Sequence, residues 1–184
     1  MLAYGPRHID NRTMNTLPHA TRPPTRLPRA LKPGSRVALV APAGPVDRER
    51  LELAKDRCRT LALEPVAFPG ALARDRYLAG SDDVRLQDLQ AAFDSPDIDA
   101  IWALRGGYGT LRILNALDLR RQHNDPIPFI GFSDNTSVHV RHAAVGVVSF
   151  HGPHAGGAFP PETEKAFRRV LYAPEPPGPV SYTH

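Results

Sequence analysis

The feature that most restricts this chain is a strict alternation of two periodicities. "RVALVAP" (36–42) is a short β-rich run closed by Pro42 and Gly44, and it reads as a buried strand. Asp47 is placed to cap a helix over about 47–62, with Leu51, Ala54, Cys58 and Leu61 on one face. "PVAFP" (65–69) is a second strand, and Ser81 caps a helix to about Phe93 that carries Leu86, Leu89 and Phe93 on one stripe. "AIWALR" (100–105), "IPFIGF" (127–132) and "GVVSF" (146–150) read as three further strands, followed by helices over 109–118, 134–145 and 162–172. The connections are short and no hairpin signal occurs. Such a pattern specifies an α/β domain with an open, mostly parallel sheet and helices on both faces. In sheets of that kind ligands bind beyond the carboxyl ends of the strands.

Composition narrows the class further. A chain of 184 residues, 41% hydrophobic, suffices for one ordinary domain with a real core. The single cysteine, Cys58, excludes a disulfide framework and falls on the apolar face of its helix, where a small core residue belongs. No run approaches the ~18 apolar residues of a membrane span, and the N-terminus has no apolar stretch of signal-peptide type, so the expectation is a cytoplasmic protein without a membrane partner.

The formal net charge of +4 does not point to nucleic acid. Residues 1–34 hold six basic residues against Asp10 alone, a net of +5, whereas the remainder is close to neutral at −1. Residues 1–34 mix Pro, Thr, Arg and Asn with little periodicity and read as a disordered leader, within which Met14 is a candidate start. The domain is expected over 35–172, and the Pro-rich stretch 173–184 reads as a linker or tail.

Two loops fall at strand carboxyl ends. Arg105-Gly106-Gly107-Tyr108-Gly109-Thr110 follows "AIWAL". Its glycines allow unusual backbone angles and bring N–H groups close to a ligand. The spacing fits neither a dinucleotide fingerprint, because Arg112 stands where a third glycine is needed, nor a phosphate-binding P-loop. The bland alternative is a tight turn into a helix. Gly131-Phe132-Ser133-Asp134-Asn135 resembles a nucleophile elbow, with the serine on a sharp strand-to-helix turn and the next N–H aimed at the same spot. Here the alternative is a helix N-cap, a position serine favours, with Asp134 suited to the first turn. Together the loops offer a hydroxyl and free N–H groups at one sheet edge, the two parts an acyl-transfer site needs.

"GSRVALVAPAGPV", "YLAGSDDVRLQDLQAAFDSPDIDAIWALRGGYGTLRILNALD", "PFIGFSDNTSVHV" and "VVSFHGP" together resemble the N-terminal half of the LD-carboxypeptidase family, the muramoyltetrapeptide carboxypeptidases and their microcin-immunity relatives. The resemblance covers roughly residues 32–172. It rests on the Arg-Gly-Gly-Tyr-Gly and Gly-Phe-Ser-Asp motifs, in this order and about 25 residues apart. It implies a flavodoxin-like or class I glutamine amidotransferase-like N-terminal domain. The implied activity is that of a cytoplasmic serine hydrolase, with neither metal nor cofactor, that cuts the L,D bond before the terminal D-alanine of a murein tetrapeptide or related peptide in peptidoglycan recycling. Carried over by motif, the nucleophile is Ser133. The oxyanion donors are the backbone N–H groups of Asp134 and of Gly107, in preference to Gly106. Arg105, Gly106 and Tyr108 line the substrate pocket. The family often forms dimers, so a homodimer is a further expectation.

A serine hydroxyl is a poor nucleophile without a base. The family takes its base from a His–Glu pair in a C-terminal domain, which is expected to be absent from this chain, and no residue here matches either member. His139 and His142 lie about two turns along the helix after Ser133 and are expected to point away from it. His151 and His154 lie at another strand's carboxyl end, where His151 reads as a pocket or turn residue, and His123 reads as solvated. The expected state of the chain alone is therefore inactive or very weak. Two alternatives remain from the sequence: a non-catalytic muropeptide-binding module, and a nucleotide- or phosphate-binding α/β domain using the Gly-Gly loop.

Overall fold

The computed structural model describes residues 24–172. Five strands, β1 (Arg36–Val40), β2 (Glu64–Ala67), β3 (Ala100–Ala103), β4 (Phe129–Gly131) and β5 (Phe150–His151), form one sheet in the order β2-β1-β3-β4-β5. Every pairing is parallel. The helices are α1 (Arg48–Thr60), α2 (Asp82–Asp94), α3 (Thr110–Ile113), α4 (Arg120–Asn124), α5 (Thr136–Ala144) and α6 (Pro161–Tyr172). This is the expected open parallel sheet, in the strand order of flavodoxin-like folds.

Alternation along the strands splits the core into two layers. Val37, Leu39, Ala100 and Trp102 face α1 and α6, where they meet Leu51, Ala54, Cys58, Phe167 and Leu171. Trp102 stacks on Phe167 with 4.6 Å between ring centroids. Ala38, Val40, Ile101 and Phe129 face the other way, against Leu89, Phe93, Ile113 and Val138. Strands buried on both faces explain the near-continuous apolar runs. The caps are those the sequence suggests: Asp47 accepts from Arg50 N at 2.8 Å and Ser81 from Val84 N at 3.3 Å.

Three expectations are corrected. The helix over 109–118 is only one turn, α3, followed by turns and the unanticipated α4. Gln90 of α2 holds Asp118 from both sides, its Oε1 accepting from Asp118 N at 2.8 Å and its Nε2 donating to Asp118 O at 3.0 Å, and this bends the chain away from helix. The last strand is Phe150–His151 and not 146–150; Val147 instead forms an isolated parallel bridge with Arg26. Arg26 itself belongs to a segment expected to be loose: residues 24–34 pack on the domain. Arg26 N donates to Gly146 O and Leu31 N to Leu171 O, both at 2.8 Å, and Leu31 is buried in the core. The rest of the expected leader, residues 1–23 with Met14, and the stretch 173–184 lie outside the described residues.

β1 is flanked by β2 and β3, and the chain reverses direction across the sheet between them. The crevice this creates lies at the carboxyl ends of β1 and β3, with β4 next in line. All three following loops carry glycine or serine.

Candidate active site

Ser133 follows β4 through Phe132 and opens a short 3-10 turn, Ser133–Asn135, that leads into α5. Its φ is +60°, in the left-handed region that non-glycine residues rarely occupy. That angle separates the two readings of this serine. A helix N-cap sits in the extended region, as Asp47 does at φ −89° and ψ 170°. The N-cap place of this turn falls to Phe132, the Ser133 hydroxyl has no hydrogen-bond partner among the described residues, and the residue is exposed above the sheet edge. Strain of this kind persists only where the surroundings hold it.

The surroundings are close. A Cβ placed on Gly106 would lie 2.9 Å from Ser133 Cβ, 3.0 Å from Phe132 O and 3.3 Å from Asp134 N, so only glycine admits this contact between the two loops. Gly106 O in turn accepts from Gly44 N at 3.0 Å, which brings in the loop after β1. Asn135 is fully buried, and its Nδ2 donates to Arg105 O at 3.2 Å and to Phe132 O at 3.1 Å, joining the glycine loop to the elbow. The N–H groups of Gly107 (φ +122°) and Asp134 find no acceptor among the described residues. The glycine loop and the Ser133 turn are thus in contact at an exposed edge, with two N–H groups unengaged among the described residues.

The other expected residues fall around this point. Gly106 is buried against the elbow, and Arg105 is exposed with its Nη1 donating to Pro45 O at 2.9 Å. Tyr108 is exposed and meets Tyr77 edge-on, with 6.0 Å between ring centroids. The Asp134 carboxylate accepts from Thr110 N and Thr110 Oγ1, both at 2.9 Å.

Two residues that organise the site escape a sequence reading. Thr110 is fully buried at the start of α3. Arg85 has a fully buried side chain that donates to Pro42 O at 3.0 Å, to Gly109 O at 2.8 Å and to Gly80 O at 3.4 Å, and pairs with Asp82. Its position was a legible signal, since Arg85 stands four and eight residues before Leu89 and Phe93 on the same apolar face.

Among the described residues no histidine hydrogen-bonds Ser133. His154 Nε2 donates to Phe132 O at 3.0 Å. His139 comes nearer than its place in α5 suggests: its Nε2 donates to Gly131 O at 3.0 Å and its Nδ1 accepts from Ser149 Oγ at 2.8 Å. Burial holds both rings below the ordinary histidine range, and each donates its Nε2 proton to a carbonyl, so neither Nε2 is free to take a proton from Ser133. His142 is buried between Phe93 and Phe129, and His151 is exposed against the edge of Phe132. No cluster of three or more His, Cys, Asp or Glu among the described residues is arranged to hold a metal. No helix among them is long and apolar enough to cross a membrane.

The architecture defines an α/β domain with a strained serine at the crevice of a flavodoxin-order sheet. Residues 37–152 match the LD-carboxypeptidase N-terminal domain, and the chain belongs to that family. It is 42% identical over 123 residues to the murein tetrapeptide carboxypeptidase of Pseudomonas aeruginosa, covering 66% of this chain and 40% of that protein. A Streptomyces coelicolor protein with a carboxypeptidase name is 44% identical over 156 residues, covering 80% of this chain and 50% of the relative. Among solved structures, the muramoyltetrapeptide carboxypeptidase of Oxalobacter formigenes superposes with a TM-score of 0.70 at 28% identity, over 76% of this chain and 49% of that one. The microcin C7 self immunity protein MccF shares the fold with a TM-score of 0.73 at 23% identity, over 79% of this chain and 47% of its own. This chain therefore spans half or less of the length of these proteins.

Proposed function

We propose that this chain is the nucleophile-bearing portion of a serine LD-carboxypeptidase, acting in the cytoplasm on the L,D-peptide bond before the terminal D-alanine of a murein tetrapeptide released for peptidoglycan recycling. The observation that carries the proposal is Ser133 at φ +60°, held by Gly106 beside two unengaged N–H donors. Ser133 Oγ attacks the carbonyl carbon of the scissile bond and gives its proton to a base. The N–H groups of Asp134 and Gly107 stabilise the oxyanion, an interaction for which losing one donor costs about 10²–10³ in turnover. Collapse expels D-alanine, whose nitrogen takes the proton back, and water then hydrolyses the acyl-serine ester. Arg105 and Tyr108, exposed on either side of the glycine pair, line the peptide's path.

The base comes from outside the described residues, from a His–Glu pair of the kind the family resemblance implies. Without it, turnover falls on the order of 10⁶-fold, leaving roughly 10³–10⁴ over water from the oxyanion donors and binding. The test is D-alanine release from a muropeptide tetrapeptide by this chain mixed with the C-terminal half of the Pseudomonas aeruginosa relative, with the Ser133→Ala variant alongside. Turnover that depends on Ser133 supports the proposal. Tetrapeptide binding that survives Ser133→Ala, with no turnover in any mixture, favours the non-catalytic binding module instead.

A further inference from the structure

One peptide group in the glycine loop is held at both ends. Gly109 C=O accepts from the buried Arg85 Nη1 at 2.8 Å, and the N–H of the same peptide, on Thr110, donates to Asp134 Oδ2 at 2.9 Å. Thr110 Oγ1 reinforces the second grip: its one proton is shared between Asp134 O at 2.7 Å and Asp134 Oδ2 at 2.9 Å, and it accepts from Ser137 Oγ at 2.7 Å. Gly109 is at φ +129°, and a Cβ there would come within 2.7 Å of Arg85 Nη1. The close approach of the guanidinium therefore requires glycine. Arg85 also fixes the loop after β1 through Pro42 O.

We infer that Arg85 and Asp134 are positioning residues that clamp the Gly109–Thr110 peptide and so set the place of the Gly107 N–H relative to Ser133. The inference rests on the proposed function for its catalytic consequence, but not for the clamp itself. Asp134 stands immediately after Ser133, and Gly107 lies two residues before the clamped peptide. The carboxylate thus ties one oxyanion donor's loop to the other's, a part its backbone N–H does not play. A hydrogen bond to a charged group contributes about twice what a neutral one does, and an oxyanion donor misplaced by about 1 Å costs on the order of 10²-fold.

Amide hydrogen exchange on the full 184-residue chain reads the clamp directly. Asp134→Ala is expected to speed exchange at Thr110 by at least about tenfold, the loss of one charge-assisted hydrogen bond, while β1 and β3 amides keep their protection. Asp134→Asn keeps an acceptor oxygen and is expected to restore most of it. Arg85→Met is expected to act on the same amide from the other end, and Asp134→Ala keeps the question open should that variant not fold. Unchanged Thr110 exchange in Asp134→Ala overturns the clamp. In the reconstituted mixture, the kcat of Asp134→Ala should fall between about 10- and 100-fold with KM held, and Asp134→Asn should recover it. A raised KM with kcat held overturns the positioning role. If the unaltered chain gives no turnover in the mixture, the proposed function fails and the exchange result alone decides the clamp.

Discussion

Replacing Ser133 by glycine and by alanine in parallel measures the strain at the elbow. In the left-handed region an L-residue is disfavoured by about 1–2 kcal/mol, and Ser133 occupies it at φ +60°. Glycine removes that penalty but adds about 0.5–1 kcal/mol of unfolded-chain entropy. The net expectation for Ser133→Gly is a gain of roughly 0.5–1 kcal/mol. Ser133→Ala keeps the Cβ and hence the strain, and removes an exposed hydroxyl without a partner among the described residues, so its stability should stay within about 0.5 kcal/mol of the parent. An ordinary N-cap behaves differently: alanine then costs about 1 kcal/mol and glycine a few tenths, and neither stabilises. Urea unfolding followed by far-ultraviolet circular dichroism resolves these cases, since with a slope of about 2 kcal/mol/M the gain moves the midpoint by roughly 0.3–0.5 M. Ser133→Ala losing about 1 kcal/mol, with Ser133→Gly also below the parent, would refute the elbow.

Other substitutions probe the same framework. Gly106→Ala drives a Cβ to 2.9 Å from Ser133 Cβ, so it should cost about 1–3 kcal/mol in unfolding free energy and displace the elbow. His142 is buried and its pKa is pushed down to about 4 by desolvation. The unfolded chain then binds a proton that the folded chain does not, and this contribution, fully present above pH 6.5, is lost as pH falls towards 4, amounting to roughly 3 kcal/mol. His142→Phe should flatten the stability profile across that interval, measured by urea midpoints at several pH values. Burial pushes the Cys58 thiol up to about 12, so labelling by a disulfide reagent at pH 8 should proceed at the rate of unfolding rather than at that of a free thiol.

The sheet was legible because its strands fall in short apolar runs set off by Pro, Gly or a cap, and the central strands β1, β3 and β4 are buried almost throughout, whereas the edge strands β2 and β5 are only partly covered. Asp47 and Ser81 were legible because capping is local chemistry. The elbow motif could be spotted, but serine suits a cap as well, and only the backbone angle separates the two. Arg85 was missed because an arginine in a helix ordinarily reads as solvated; its role depends on three carbonyls from loops 42, 80 and 109 that the fold brings together. The broken helix after α3 likewise depends on Gln90, 28 residues before Asp118. The packing of residues 24–34 rests on two buried residues, Pro28 and Leu31, and on backbone bonds from Arg26, Arg29 and Leu31, which a Pro- and Arg-rich composition conceals.

The central claim is that Ser133 becomes covalently acylated. The direct measurement is mass spectrometry of the acid-quenched reconstituted mixture after brief exposure to a murein tetrapeptide. The expected result is an adduct on the peptide containing Ser133 whose mass is that of the tetrapeptide less D-alanine, absent from Ser133→Ala. D-alanine release that proceeds undiminished in Ser133→Ala, or an adduct on a different residue, would contradict it.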